Sequence, residues 1–268
     1  MWQKSIKNFV LLIILLFSFI LSSCIEEPFI DPVKRPYSVI RVSNFSSNVA
    51  AINVTIDGTS PAAGLANLGI SSFTGYFDIN SGTRKFLVKN VATGDTVFNK
   101  NIEIASYEIA TIAFAGFFST DKLINSFGNV MFEEGQVYQN TAPKTGTLNV
   151  FIINAAASID TLDAKKLTIL TKYKHSDSTN YVNIENKTGL EFNKIHSITN
   201  KTPTGPNLFP GNYLLDIKDE KGLTVMEFPS DSSFNASAGM RYYMFIYGPP
   251  NNIKAFLDEQ IPQPVRPK

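Results

Sequence analysis

The sequence has few of the residues on which catalysis, disulfide bonding and nucleic-acid binding depend. It contains one cysteine, two histidines and one tryptophan, and its formal net charge is +1. A single cysteine cannot form a disulfide within the chain, so stability must come from the burial of apolar side chains. Charges of both signs are scattered, so no basic stripe can neutralise phosphates, and we expect no nucleic-acid partner.

The histidines, His175 and His196, both lie in a polar segment of the second half, and no Gly-x-Ser-x-Gly motif occurs. A serine or cysteine nucleophile usually needs a base to accept its proton. A zinc site needs three or four ligands at workable spacing. We therefore interpret both histidines as loop residues and expect no metal, no cofactor and no enzymatic activity.

Carboxylates offer a second route to chemistry. Asp160 and Asp163 flank a Thr-Leu pair, and Asp216, Asp219 and Glu220 surround a predicted turn. Glycoside hydrolysis needs two carboxyl groups facing each other across a sugar, whereas acids at turns usually cap the backbone. An envelope glycoside hydrolase is therefore kept only as the weaker alternative.

What the sequence does contain is a β-rich pattern. Phenylalanine and tyrosine are abundant, with 21 and 10 copies, and only 18% of residues are charged. Residues 51–56 alternate apolar with polar and end at an Asp-Gly turn signal. Residues 109–118 are almost continuously apolar, which predicts a central strand buried on both faces.

The strand pattern occurs twice. Residues 148–154 repeat the pattern of residues 39–44, and residues 211–218 repeat that of residues 82–89. Residues 240–248 then match the long apolar run that ends at Gly116. Each copy holds about seven short strands with turns about every 8–12 residues, the spacing of an antiparallel sandwich.

We therefore predict an all-β protein with two tandem immunoglobulin-like antiparallel β-sandwich domains after a lipoprotein signal peptide. The predicted segments are a signal peptide (1–23), a tether (24–37), a first sandwich (38–139), a linker (140–147), a second sandwich (148–262) with an insertion (163–206), and a tail (263–268).

The first residues carry Lys4 and Lys7, and residues 9–21 are almost wholly apolar. This run is shorter than the roughly 20 residues that span a bilayer, and the pattern is typical of a secretory signal peptide. It ends in Leu21-Ser22-Ser23-Cys24, which resembles the lipobox of bacterial lipoproteins. The resemblance implies cleavage between Ser23 and Cys24 and acylation of Cys24, and two or more acyl chains anchor a protein stably.

The segment after Cys24 supports an envelope location. Glu26 and Glu27 resemble the surface-export signals of some lipoproteins, and Pro28, Pro32 and Pro36 favour a semi-rigid, extended tether. We expect an outer-membrane lipoprotein that is exposed at the cell surface, although a solvated tether would also contain paired acids.

Two further segments carry a family resemblance. Residues 39–44 lead through residues 52–56 to Asp57-Gly58, and residues 140–146 lead into residues 150–156. Together they resemble an uncharacterised family of tandem immunoglobulin-like domains in bacterial envelope lipoproteins. The resemblance implies an envelope sandwich without known chemistry. The chain departs from the family pattern at residues 45–48 and lacks the Asp-Gly turn in its second copy.

Aromatic side chains give the one indication of a binding surface. Alternation places Tyr243, Phe245 and Tyr247 on the same face of one strand. This face either packs in a core or forms a ligand platform for a sugar or a peptide. Thr96 and Thr161 each follow an aspartate and precede an aliphatic residue, which resembles an O-glycosylation sequon.

The sequence thus favours a non-catalytic, lipid-anchored envelope protein that binds or adheres at the outer membrane or cell surface. Its expected partners are the membrane, through Cys24, and a glycan or another envelope protein. A structural spacer or docking partner in an envelope complex is the alternative.

Overall fold

A computed structural model describes most of the chain after the predicted tether. The described residues are 36–121, 125–136, 143–156, 166–175, 177–192, 194–198, 207–229, 234–249 and 252–260. Residues 36–268 group into one compact unit. The regular elements of the described residues are all β-strands, so the predicted all-β class is confirmed.

Within the described residues, nine strands build the first sandwich. They are β1 (Tyr37–Ser46), β2 (Ala51–Ile56), β3 (Leu68–Gly69), β4 (Ser72–Phe73), β5 (Phe77–Asn80), β6 (Gly82–Asn90), β7 (Thr96–Ile104), β8 (Glu108–Gly116) and β9 (Gly128–Gln136). One sheet has the order β4-β1-β8-β9, with β5 also paired to β1, and the other has the order β3-β2-β6-β7.

The described part of the second half likewise contributes nine strands to the second sandwich. They are β10 (Asn149–Ala156), β11 (Leu167–Lys174), β12 (Val182–Leu190), β13 (Ile195–Ser197), β14 (Gly211–Lys218), β15 (Thr224–Phe228), β16 (Phe234–Ala236), β17 (Arg241–Gly248) and β18 (Lys254–Gln260). One sheet has the order β13-β10-β17-β18, and the other has the order β12-β11-β14-β15, with β16 also paired to β14.

The four-strand path of each sheet has the same order in both sandwiches, so the repeat seen in the sequence is a repeat of topology. The short strands β5, paired to β1, and β16, paired to β14, stand at different places in the two sandwiches. Strand β10 takes the place of β1, β14 that of β6, and β17 that of β8. The registers agree as well, since Ser46 pairs with Gly116 and Ala156 pairs with Gly248.

Two details differ from the predicted architecture. Strand β1 pairs with β8, and β10 with β17, in parallel, so neither sandwich is purely antiparallel. These partners are far apart in sequence, and no tight turn forces them to run in opposite directions.

Residues 163–206 were predicted to be an insertion, but β11, β12 and β13, which lie in this segment, occupy the sheet positions of β2, β3 and β4. The strands of this segment therefore belong to the repeat.

Each sandwich encloses its own apolar core, and a third apolar layer lies between the sandwiches. All nine residues of β8 are buried, because one face of this strand packs in the first core and the other packs against the second sandwich. This confirms the predicted doubly buried strand. Strand β1 lies against β17, and β8 lies against β10.

The strands on both sides of this third layer run in the same direction. Near the end of β1, Phe45 stacks on Phe245, which lies in the second half of β17. Earlier in β1, Arg41 contacts Asp258, which pairs with the earlier β17 residue Tyr243. Equivalent ends of the two sandwiches therefore lie at the same end of the body.

Candidate functional site

The face of β17 for which the sequence left open a packed core or a ligand platform lies between the two sandwiches. Tyr243 is 2% exposed and Phe245 is 0% exposed, while Tyr247 is half-buried. This face is therefore covered in this structure, because the second sandwich packs it against β1 of the first. Burial also raises the pKa of the Tyr243 hydroxyl.

We call this contact the inter-sandwich interface; its buried apolar members are Phe45, Ala113, Ala115, Val130, Phe132, Ile153, Ala155, Tyr243 and Phe245. Phe45 and Phe245 stack with ring centroids 4.1 Å apart and an interplanar angle of 8°. Phe132 and Phe151 each lie 5.0 Å from the ring of Tyr243. Aromatic pairs at such distances contribute beyond the area they bury.

A buried network of charged side chains lies beside the apolar layer and belongs to the same interface. Arg41, 5% exposed, lies 2.6 Å through Nη2 from Asp258 of the second sandwich and 3.3 Å from Glu134 of the first. Its guanidinium also lies 4.3 Å from the ring centroid of Phe73. Glu134 accepts further hydrogen bonds from Thr111 and from the hydroxyl of Tyr76.

The electrostatics of the network keep Arg41 charged. Burial alone would lower its pKa, but the Glu134 carboxylate and the hydrogen bond to Asp258 raise the pKa above its usual value. Removing Arg41 would leave the two buried carboxylates without this cation. The sequence pattern did not assign Arg41 a role, although an arginine inside the apolar run of residues 39–42 was the signal that could have found it.

The outer face of the second sandwich is solvated and carries amide and ammonium groups. Lys172 pairs across the sheet with Asn183 and Leu214, and Leu170 pairs with Asn186. Asn183 and Asn186 are exposed, whereas Leu170 and Leu214 are half-buried. This face can donate and accept hydrogen bonds around a small apolar centre.

One end of the body carries exposed aromatic rings. Tyr107, Tyr181 and Phe209 are 38%, 36% and 38% exposed. Tyr107 lies in the turn before β8, Tyr181 precedes β12, and Phe209 precedes β14. These three positions lie at equivalent ends of the two sandwiches, where β1 and β10 begin.

The two histidines have different surroundings. His175 is exposed, as predicted for a loop residue. His196 lies on β13 with its side chain only 18% exposed, and its Nε2 is 3.2 Å from Glu185. The prediction of a solvated loop was wrong for His196, because β13 pairs with β10 and brings the imidazole against β12.

Two of the acids around the predicted turn, which joins β14 to β15, accept hydrogen bonds from backbone amides. Asp219 accepts hydrogen bonds from the amides of Lys221 and Leu223, and Glu220 accepts one from the amide of Lys166. Asp216 is buried and accepts a hydrogen bond from the hydroxyl of Thr224.

Several predicted residues lie outside the described part of the chain. Ser23 and Cys24 belong to this group, as do Asp160, Thr161 and Asp163. Thr96 is described and exposed at the start of β7.

Within the described ranges, no cluster of three or more histidine, cysteine, aspartate or glutamate residues could hold a metal ion. The same ranges contain no helix of the length and apolar character that crossing a membrane requires.

Residues 38–165 match the family model of a domain of unknown function, DUF4397. The match confirms the predicted resemblance to an uncharacterised domain family. No curated protein matches the chain.

Several solved bacterial structures also match the chain. A "putative cell adhesion protein" from Bacteroides uniformis is 14% identical, with 85% of this chain and 97% of that chain covered and a TM-score of 0.26. A second "putative cell adhesion protein", from Bacteroides fragilis, is 10% identical over 85% and 99% of the chains, with a TM-score of 0.20. A family 26 carbohydrate-binding module from Eubacterium rectale, in complex with maltoheptaose, is 11% identical over 85% and 98%, with a TM-score of 0.22.

Proposed function

We propose that this protein, whose residues 38–165 match the DUF4397 family, is a lipid-anchored envelope protein that binds a partner without catalysis. The observation that carries the proposal is the inter-sandwich interface. Its stacked rings and buried charge network join two repeats into one body. Such a body with solvated sheet faces on its two outer sides is suited to adhesion or scaffolding, and Cys24 would hold it at the outer membrane.

A glycan is the first proposed partner, and the outer face of the second sandwich is the proposed site. Asn183 and Asn186 supply amides that hydrogen-bond hydroxyl groups. The half-buried Leu170 and Leu214 offer an apolar centre for the C–H face of a sugar ring.

A glycan array tests this proposal. The wild-type protein should give a signal that the pair Asn183→Ala and Asn186→Ala reduces at least tenfold, about 1.4 kcal/mol. A matched control is the pair Asn99→Ala and Asn101→Ala, because both asparagines are exposed on β7, at the outer sheet of the first sandwich. The control should leave the signal unchanged.

Other outcomes separate the alternatives. A silent array together with co-purification of another envelope protein would favour the spacer or docking role. Release of reducing sugar from any array ligand would contradict the non-catalytic assignment.

A further inference from the structure

The exposed aromatic residues share one end of the body, and the chain enters the body at that same end. Pro36, the first described residue, accepts two hydrogen bonds from Ser81 through its carbonyl oxygen, one from the amide and one from the hydroxyl. Tyr107 donates its amide to the carbonyl of Tyr37, and the rings of Tyr37 and Tyr107 meet edge to face at 6.2 Å. The entry point of the tether is therefore fixed beside the exposed Tyr107.

The second sandwich presents its exposed rings at the equivalent end. The hydroxyl of Tyr213 donates to the carbonyl of Phe209 at 2.7 Å, and the hydroxyl of Tyr173 donates to that of Pro210 at 3.0 Å. These bonds fix the backbone that carries the Phe209 ring. Tyr181 lies beside Lys174, whose amine is 5.1 Å from the ring centroid.

The apolar residues towards the opposite end differ in kind. The exposed large side chains there are aliphatic and separate, namely Ile70, Val91, Ile195 and Leu223. The three exposed aromatic residues among those described, together with Val182 at 51% exposure, all belong to the end where the tether enters.

We propose that this end, formed by Tyr107, Tyr181, Val182 and Phe209, contacts the lipid bilayer. The inference rests on the proposed lipid anchor at Cys24. Cys24 precedes Pro36 by 12 residues, so the connecting chain reaches at most about 40 Å. Tyrosine and phenylalanine side chains suit the boundary between headgroups and acyl chains, where tyrosine and tryptophan are enriched in membrane proteins.

The charges at this end explain why the contact should be apolar rather than electrostatic. Arg84, Lys85 and Lys174 lie there together with Asp57 and Asp177, so the surface is not strongly cationic. Binding should therefore persist at high salt, where attraction between charges is screened.

Tryptophan reporters in the mature lipidated protein, which begins at Cys24, test the contact. Trp2 lies in the predicted signal peptide and is the only tryptophan of the sequence, so Phe209→Trp gives a single reporter at the proposed contact. Leu223→Trp is the matched control, because Leu223 is 64% exposed at the opposite end. The proteins are reconstituted into vesicles of phosphatidylethanolamine, phosphatidylglycerol and brominated phosphatidylcholine.

We expect brominated lipid to quench Phe209→Trp several-fold more than Leu223→Trp, at low and at high salt. Tyr181→Trp is the second reporter should Phe209→Trp fail to fold, and it should behave like Phe209→Trp. Equal quenching at both ends, or no quenching in protein that floats with the vesicles, would overturn the contact while leaving the anchor intact. A change in the fluorescence of Phe209→Trp when a soluble oligosaccharide is added in the absence of vesicles would assign this end to a glycan and also overturn the contact. Failure of the wild-type protein to float would instead overturn the anchor.

Discussion

Arg41→Met tests the buried charge network that joins the two sandwiches. The substitution keeps an apolar stem under the ring of Phe73 but leaves the carboxylates of Glu134 and Asp258 without their cation. The side chain of Glu134 is 4% exposed and that of Asp258 is 17% exposed. Breaking a buried pair by removing one partner costs about 3–5 kcal/mol, which is a large share of the roughly 5–15 kcal/mol that stabilises a typical domain.

Urea unfolding of the mature protein, followed by circular dichroism and tyrosine fluorescence, measures this loss. Lys166→Met is the matched control, because Lys166 pairs at 3.9 Å with Glu191 and the two side chains are 54% and 51% exposed. A solvated pair of this kind contributes about 0–1 kcal/mol. If the two substitutions cost the same, the Arg41 network contributes no more than a surface ion pair and the reasoning is refuted.

Three further outcomes follow from packing, backbone geometry and burial. Phe245→Ala should cost about 3–5 kcal/mol in urea unfolding, because the fully buried ring leaves a cavity between the sandwiches; a loss below about 1 kcal/mol would contradict the packing. Gly116→Ala should destabilise the protein more than Gly94→Ala in thermal unfolding, since both have positive φ but only at Gly116 would a Cβ lie 2.3 Å from a backbone oxygen. Burial raises the pKa of Glu108. As pH rises, Glu108 therefore loses its proton in the unfolded chain before it does so in the folded protein. The free energy of unfolding of the wild type falls over the pH range between these two pKa values. The free energy of unfolding of Glu108→Gln should equal that of the wild type below this pH range and exceed it above. A wild type that is more stable than Glu108→Gln above the range would contradict the burial effect.

The strands and the repeat could be predicted from the sequence because period-two alternation and turn residues are local signals. Residues 148–154 and 39–44 share a pattern, and the structure places them on equivalent strands in equivalent register. The long run ending at Gly116 reads as buried on both faces because apolar side chains occupy both of its alternating sets.

The identity of the surface that covers each face could not be predicted in the same way. Alternation separates Tyr243 and Phe245 from Met244, but it does not say whether solvent, a ligand or another sheet covers the first set. That outcome depends on pairing between segments about 200 residues apart, such as Phe45 with Phe245. Likewise, the polar composition of residues 163–206 hid the fact that β11 and β12 continue the repeat, because their outer faces are solvated.

The proposal of a membrane-held binding body depends most directly on Cys24. Cells expressing the wild-type protein or Cys24→Ala can be labelled with an alkyne-bearing fatty acid and then extracted with a phase-separating detergent. We predict that the wild-type protein carries the label and enters the detergent phase, whereas Cys24→Ala is unlabelled and stays in the aqueous phase. A Cys24→Ala protein that still carries the label and still enters the detergent phase would contradict the account.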